Sequence, residues 1–358
     1  MRPFLLCAVV AACSGVASTR LSIPAAQTDP STTATSEPAI ELAPLPALPP
    51  PEHAPSFRIA VISDLNSAYG SVTYNSDVHD ATRALIERLH PDLVLITGDM
   101  VAGQKPGLDY AAMWKAFHGV VTEPLTAAGV SVAPTPGNHD AAPGVRFARE
   151  RAEFAQQWGT PDRLAQVRWI DDSNYPFFYS FDYGGVFFAS IDAVAVGPLS
   201  ERQRQWLAAQ LDRSDQSTKI VFGHLPVHAF AHERELEILN DAALSSLFSK
   251  HRVSAYISGH HHAYYPGAVN GTWHIAMPCL GSGTRSLIGT RHRSPTALVV
   301  LDIHQGVLVA PQALKAPDFT AAIERSTLPP RIELLGHRVV RDDIAGLCPN
   351  CESVSMSY

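Results

Sequence analysis

The chain reads as an α/β protein with mixed β-sheets, and three features of the sequence predict it. Short apolar runs rich in β-branched residues, such as "FRIAVIS" (57–63) and "DLVLITG" (92–98), alternate with segments whose apolar residues recur at helical spacing. The second half adds a hairpin pattern, "FFYSFDYGGVFFASID" (177–192), with Gly184 and Gly185 at its turn. A β-α-β-α order followed by hairpins gives sheets that are parallel in one part and antiparallel in another. The 358 residues, 46% of them hydrophobic, suffice for a large core.

The elements follow in order. After the strand at 57–63, Val78, Ala81, Leu85 and Leu89 fall on one helical face, and Pro91 ends that helix. The strand at 92–98 is followed by "DYAAMWKAFHGVVTEPLTAA", a helix with a break expected near Pro124. "VSVAPT" (130–135) is a third strand, and residues 145–157 read as helix. Beyond the hairpin, Ser200 is placed to cap the helix "ERQRQWLAAQL". "TKIVFG" (218–223) and "SAYISG" (254–259) are two more buried strands, separated by a helix over about 241–249. Strands are expected near 273–277 and 296–303, and from Gln312 onward no strong period is visible.

The ends differ in character from this middle. Phe4–Ala12 is an apolar stretch too short to span a membrane, with the layout of an export signal. "VAAC" (Val10–Cys13) resembles a bacterial lipobox, which implies cleavage before Cys13 and lipidation of its thiol; an ordinary secretory signal cut near Ala17 is the alternative. Seven prolines between Glu37 and Ser56 exclude helix interior and central strand, leaving an extended spacer. The expected organisation is a signal segment (1–13), a linker (14–56), one folded domain (57–311) and a C-terminal extension (312–358). The chain is expected to be exported, as a periplasmic or outer-membrane-anchored lipoprotein. Cys348 and Cys351 in "CPNC" can close a small disulfide outside the cytoplasm, and Cys279 reads as a small buried apolar residue. The net charge is −7 and no Lys/Arg-rich block occurs, so a nucleic-acid footprint is absent.

Chemistry gathers where the apolar strands stop. They end in Asp64, in "GDM" (Asp99), in "GNHD" (Asn138, His139, Asp140), in "GH" (His224) and in "GHHH" (His260, His261, His262). Ligands in α/β sheets collect at the carboxyl ends of strands. Mixed oxygen and imidazole donors suit Mn, Fe or Zn, and seven candidate donors exceed what one ion needs. Two ions sharing a carboxylate is the natural arrangement.

This ordered set resembles the calcineurin-like metallophosphoesterase superfamily over roughly residues 57–303. The resemblance implies a four-layer sandwich, two mixed β-sheets flanked by helices, with two divalent or trivalent transition-metal ions at one edge. It implies that Asp64 and His262 hold one ion, that Asp99 bridges, and that Asn138, His224 and His260 hold the other. His139 would contact the scissile phosphate and assist the leaving group, and Asp140 would hydrogen-bond His139. His261 would point away. The implied reaction is hydrolysis of a small-molecule phosphomonoester or phosphodiester by a di-metal-activated hydroxide.

Two positions depart from the family pattern. Its opening Asp-x-His is here Asp64-Leu65-Asn66, so Asn66 stands where an imidazole is expected, and the acidic residue three after the GD aspartate is here Ala102. An amide oxygen binds a metal more weakly than an imidazole, and Tyr69 or Tyr74 is a conceivable substitute. Arg285, Arg291 and Arg293 can hold a phosphate or carboxylate, or simply lie in an exposed loop. The alternative to an enzyme is a catalytically impaired calcineurin-like fold acting as a binding module. A β-lactamase-like metallohydrolase is disfavoured, because its His-x-His-x-Asp-His cluster is missing.

Overall fold

The computed structural model describes residues 56–345, apart from positions 165 and 335. The signal segment with Cys13, the linker before Ser56, and Cys348 and Cys351 lie outside the described residues. No helix among the described residues is long and apolar enough to cross a membrane.

The first half comprises β1 (Phe57–Ile62), α1 (Ser76–Ala84), β2 (Leu93–Ile96), α2 (Tyr110–Phe117), α3 (Glu123–Ala127), β3 (Ser131–Pro134) and α4 (Ala148–Trp158). Next come β4 (Arg168–Asp171), β5 (Tyr179–Tyr183), β6 (Val186–Ser190), α5 (Glu201–Arg213) and β7 (Lys219–Gly223). These are followed by α6 (Ala242–Lys250), β8 (Ala255–Ser258), β9 (Tyr265–Val269), β10 (Thr272–Ala276) and β11 (Ala297–His304). Last are β12 (Val307–Leu308), β13 (Gln312–Lys315), β14 (Arg331–Leu334) and β15 (His337–Arg341).

Among the described residues the strands form two sheets. One has the order β12-β11-β1-β2-β3, with β13 also on β11; the other runs β14-β15-β9-β10-β8-β7-β6-β5-β4. β1, β2 and β3 are parallel, as are β6, β7, β8 and β10, and the remaining pairings are antiparallel. Strand side chains alternate between faces, and that alternation builds the layers. Ile59 and Val61 point between the sheets to meet Phe181, Phe188 and Phe222, while Ala60 and Ile62 point outward to Val78, Trp114 and Phe117 under the helices. The outward face of the second sheet, with Phe187, Val221 and Tyr256, is covered by Leu207 and Leu211 of α5 and by Phe248 of α6. This is a four-layer α/β sandwich, and the parallel strands read as unbroken apolar runs because both of their faces are buried.

Local chemistry sets several element ends. Ser200 Oγ accepts from Gln203 N, as an N-cap should. Gly184 and Gly185 both have positive φ, which the tight β5–β6 turn requires. The segment 110–127 does not break at Pro124: it continues through a π-helical turn, His118–Thr122, into α3. Pro124 has no N–H to bond the carbonyl four residues back, and the wider turn before it absorbs the mismatch. From Gln312 the chain adds β13 to the first sheet and β14 and β15 to the second. The change in sequence pattern after residue 311 is therefore not a boundary in packing.

The π-helical turn places His118 in an aromatic box. Its ring stacks on Trp114 at 5.7 Å and meets the edge of Trp158 at 5.4 Å; Nδ1 lies 2.6 Å from Thr122 Oγ1, and the buried Nε2 has no partner. Burial, with Arg163 adding to it, pulls this imidazole down to about 4. The unfolded chain therefore binds a proton near pH 6.5 that the fold refuses until about pH 4. Stability from this group is present above pH 6.5 and lost as pH falls toward 4, by at most about 3 kcal/mol. Urea denaturation across that window should show a shallower pH slope for His118→Leu than for the parent.

Candidate metal centre

Five strand ends meet at one edge of the sandwich, and the backbone there is unusual. Asp64, Asp99, His260 and His262 all have positive φ, between 51° and 67°. Such conformations cost about 1–2 kcal/mol each for L-residues and cluster at functional sites. The glycines of the motifs permit close approach. A Cβ on Gly137 would lie 2.0 Å from Asp99 N, and one on Gly98, itself at φ +90°, would lie 2.7 Å from His224 Nδ1.

Asp64, Asp99 and His262 form one cluster, with a ligand atom from each lying within 4.8 Å of the others. His262 Nδ1 donates to the Gly283 carbonyl at 3.1 Å, which turns Nε2 to within 3.1 Å of Asp64 Oδ1. The Cys279 thiol also reaches the His262 ring. Asp64 further accepts from Ser63 Oγ at 2.6 Å and from His260 N at 3.1 Å. Burial alone would raise the Asp64 carboxyl, but His262 outweighs it and holds it below the ordinary range. Asn66 lies nearby in the loop after β1, its N donating to the Asp99 carbonyl at 3.1 Å; its NH2 donates to the Val101 carbonyl at 3.2 Å, so Oδ1 is its free donor atom.

The second group adjoins Asp99. His224 Nδ1 donates to the Thr97 carbonyl at 2.8 Å, and Nε2 lies 2.8 Å from Asn138 Oδ1 and 3.4 Å from Asp99 Oδ1. The His260 ring stands edge-on to His224 with centroids 5.1 Å apart. Asp99 is thus shared by the two groups. Burial would lower the His224 ring, but Asp99 outweighs it and carries it up to about 9.

The donor set passes a test of fit to a cation. His224 and His262 each give Nδ1–H to a backbone carbonyl, which in a neutral ring leaves Nε2 as an acceptor. Both Nε2 atoms nevertheless face carboxylate or amide oxygens, which are acceptors too. That facing arrangement needs a positive charge between the atoms, supplied by a proton or by a metal ion. Imidazoles oriented through Nδ1–H are the usual support for metal ligation at Nε2.

His139 is the most open of the candidate residues, with its side chain 21% exposed. Its backbone N donates to Asp99 Oδ1 at 2.9 Å, while the ring places Nδ1 3.4 Å from Gly103 O and Nε2 4.0 Å from Asp99 Oδ2. Tyr69, exposed, lies beside it at 5.4 Å between centroids.

Asp140 departs from expectation. It does not bond His139; it accepts from Val101 N and Gly137 N, each at 2.9 Å. The carboxylate spans two backbone amides, one in its own turn (Gly137) and one in the loop after β2 (Val101), so both of its oxygens are taken before it reaches the ring. Burial, then Asp99, pushes the Asp140 carboxyl up to about 8. Its place is in holding the "GNHD" turn rather than in tuning His139. Tyr74 is also bound elsewhere, its hydroxyl donating to the Met100 carbonyl at 2.9 Å. His261 points away, as expected: Nδ1 accepts from Phe230 N and Ala231 N, and Nε2 donates to Glu237 O at 3.1 Å.

Sequence reasoning missed Glu237. Its carboxylate accepts from His260 Nε2 at 2.8 Å and also pairs with Arg234. This bond, followed by Arg234, holds the Glu237 carboxyl down at about 2. It leaves Nδ1 of His260 as the nitrogen free to ligate, completing a carboxylate–histidine pair of the kind that supports metal sites. Glu237→Gln should weaken metal affinity by about 10- to 100-fold, with a small fall in the thermal midpoint of the metal-free protein from the lost Arg234 ion pair. Titration with Mn or Zn against a competing chelator measures it.

Comparison with known proteins places this geometry. The sequence profile described as calcineurin-like phosphoesterase matches residues 57–264, more than half of the chain. Purple acid phosphatase 22 of Arabidopsis thaliana is 28% identical over 225 residues, covering 60% of this chain and 46% of that protein. A manganese-dependent ADP-ribose/CDP-alcohol diphosphatase of Danio rerio is 44% identical over 69 residues, 18% of this chain and 21% of that one. The chain thus spans less than half the length of these relatives. Among solved structures, the purple acid phosphatase PPD1 of yellow lupin (Lupinus luteus) superposes with a TM-score of 0.56 at 19% identity, covering 73% of this chain and 52% of that one. Strand-end motifs, sandwich and profile agree: the chain belongs to the calcineurin-like phosphoesterase family.

Proposed function

We propose that the protein is a metal-dependent phosphoesterase acting on small phosphomonoesters or phosphodiesters. The observation that carries this reading is the pair of imidazoles, His224 and His262, fixed through Nδ1 with Nε2 turned onto buried carboxylate and amide oxygens. Asp64, Asp99 and His262, with Asn66 Oδ1, would hold one ion; Asp99, Asn138, His224 and His260 the other. Mn, Fe and Zn suit these donors. When bound, such ions supply Lewis acidity toward phosphoryl oxygens and lower the pKa of water toward neutrality.

The remaining chemistry falls to the chain. His139, beside Asp99 and open to solvent, is placed to give a proton to the departing ester oxygen or to stabilise its charge. Asp140 keeps the turn that presents it. The folded domain is proposed to be exported and tethered through lipidated Cys13 by the proline-rich linker, on the strength of the Phe4–Ala12 segment and "VAAC".

The test is hydrolysis of 4-nitrophenyl phosphate and bis(4-nitrophenyl) phosphate by the full chain. Activity on at least one should disappear with a chelator and return with Mn, Fe or Zn. Two ions bound with neither ester cleaved would overturn the enzyme reading in favour of the binding module.

A further inference from the structure

A basic cavity adjoins the candidate metal centre. It has a volume of about 470 Å³, and its wall includes Arg285, Arg291, Arg293 and His232, with Glu233 as its carboxylate. Such a cluster is notable in a chain of net charge −7. The cavity is joined to the centre through one residue: Gly283, on its wall, accepts from His262 Nδ1, and Arg285 N donates to the His262 carbonyl at 3.1 Å.

The wall is a braced loop rather than a loose one. His232 N bonds Ser286 O at 2.9 Å, Ile288 N bonds Phe230 O at 2.8 Å, and Ser294 N bonds Arg285 O at 2.7 Å. Bridges Ala231–Leu287 and Ser286–Arg293 tie the same strands of loop together. Arg291 and Arg293 are exposed, while Arg285 is partly buried and poorly compensated. Arg285 reaches Glu233 only at 3.5 Å, and its buried Nε has no partner. Arg293 gives Nη1 to the Thr284 carbonyl at 2.6 Å, and Arg291 has no ion pair or hydrogen bond among the described residues.

Resting on the phosphoesterase reading above, we infer that this cavity binds a second phosphate group of the substrate, so that the preferred substrates are small bisphosphorylated molecules. Three guanidinium forks against one carboxylate match a dianion better than a single negative charge. Their position beside His262 lets one molecule place one phosphate at the metals and the other among the arginines.

The experiment compares glucose 1,6-bisphosphate with glucose 1-phosphate on the metal-loaded full chain. The bisphosphate should be favoured in kcat/KM by about 10- to 100-fold, carried by KM, since a charge-assisted contact away from the reacting atoms adds binding to ground and transition states alike. Arg291→Gln with Arg293→Gln should abolish that preference and leave glucose 1-phosphate unaffected. Arg285→Lys, which keeps the charge of a half-buried side chain, should reduce it partly. Calorimetry with inorganic pyrophosphate on metal-stripped protein provides an independent readout, with binding expected in the parent and lost in the double variant. Equal kcat/KM for the two sugars, or a preference indifferent to the arginines, would overturn the inference while the phosphoesterase reading stands. Arginine-dependent pyrophosphate binding without hydrolysis of either sugar or either nitrophenyl ester would uphold the phosphate cavity and sink the phosphoesterase reading. No pyrophosphate binding, and no hydrolysis of the sugars or of the nitrophenyl esters, would remove both.

Discussion

Asp99→Asn is expected to cut bound metal from about two ions per chain to one or fewer and to lower turnover by about 10³-fold or more, because several kcal/mol of transition-state stabilisation depend on the ions. The reason is position. Asp99 lies in the Asp64–His262 cluster and 3.4 Å from His224, so one carboxylate serves both groups. Its loss also removes the charge that offsets two buried imidazoles. Elemental analysis and steady-state kinetics on the same preparation check the outcome. Full metal content with full activity would show that Asp99 is not shared. The metal-free variant should remain folded, since an amide retains an oxygen to accept His139 N.

His139→Ala should behave differently. Turnover is expected to fall by about 10²- to 10⁴-fold, the usual worth of a placed acid or base, with metal content unchanged. The separation follows from which atoms do what: the contact of His139 with Asp99 at 2.9 Å is made by the backbone N–H, which alanine keeps. The loss should be greater for an alkyl phosphate than for 4-nitrophenyl phosphate, whose leaving group departs without a proton. Parallel loss of metal and turnover, equal for both esters, would make the side chain structural.

The centre was legible in sequence to the extent that it sits on short-range features. Asp64, Asp99, Asn138, His224, His260 and His262 each follow an apolar run directly, and the sandwich brings those strand ends together. Glu237 had no such mark. It lies within a charged loop, and its bond to His260 spans 23 positions of chain. Asp140 bonds backbone amides and not the expected His139, because a short carboxylate finds Gly137 N in its own turn and Val101 N in the adjoining loop before it reaches the ring. Among the elements missed, β4 is a short edge strand of four residues, and most of the others are ones that local preference argues against. β9 contains Pro266 and Gly267, and its outer neighbour β15 pairs with it only at Gly267 and Ala268. β12 has two residues, and β13 to β15 depend on long-range pairing with strands already formed. The helix at Pro124 failed the expected break because a π-helical turn was available at no loss of packing for Val121 and Leu125.

The left-handed backbone at Asp64, Asp99, His260 and His262 has a consequence for anyone evolving this protein in the laboratory. Glycine at His260 or His262 relieves backbone strain of about 1–2 kcal/mol, so a screen for heat resistance alone would reward changes there. The same screen would be dismantling the donor set residue by residue. Selection for robustness and selection for turnover pull in opposite directions at these two histidines, and a library meant to improve both should hold them fixed.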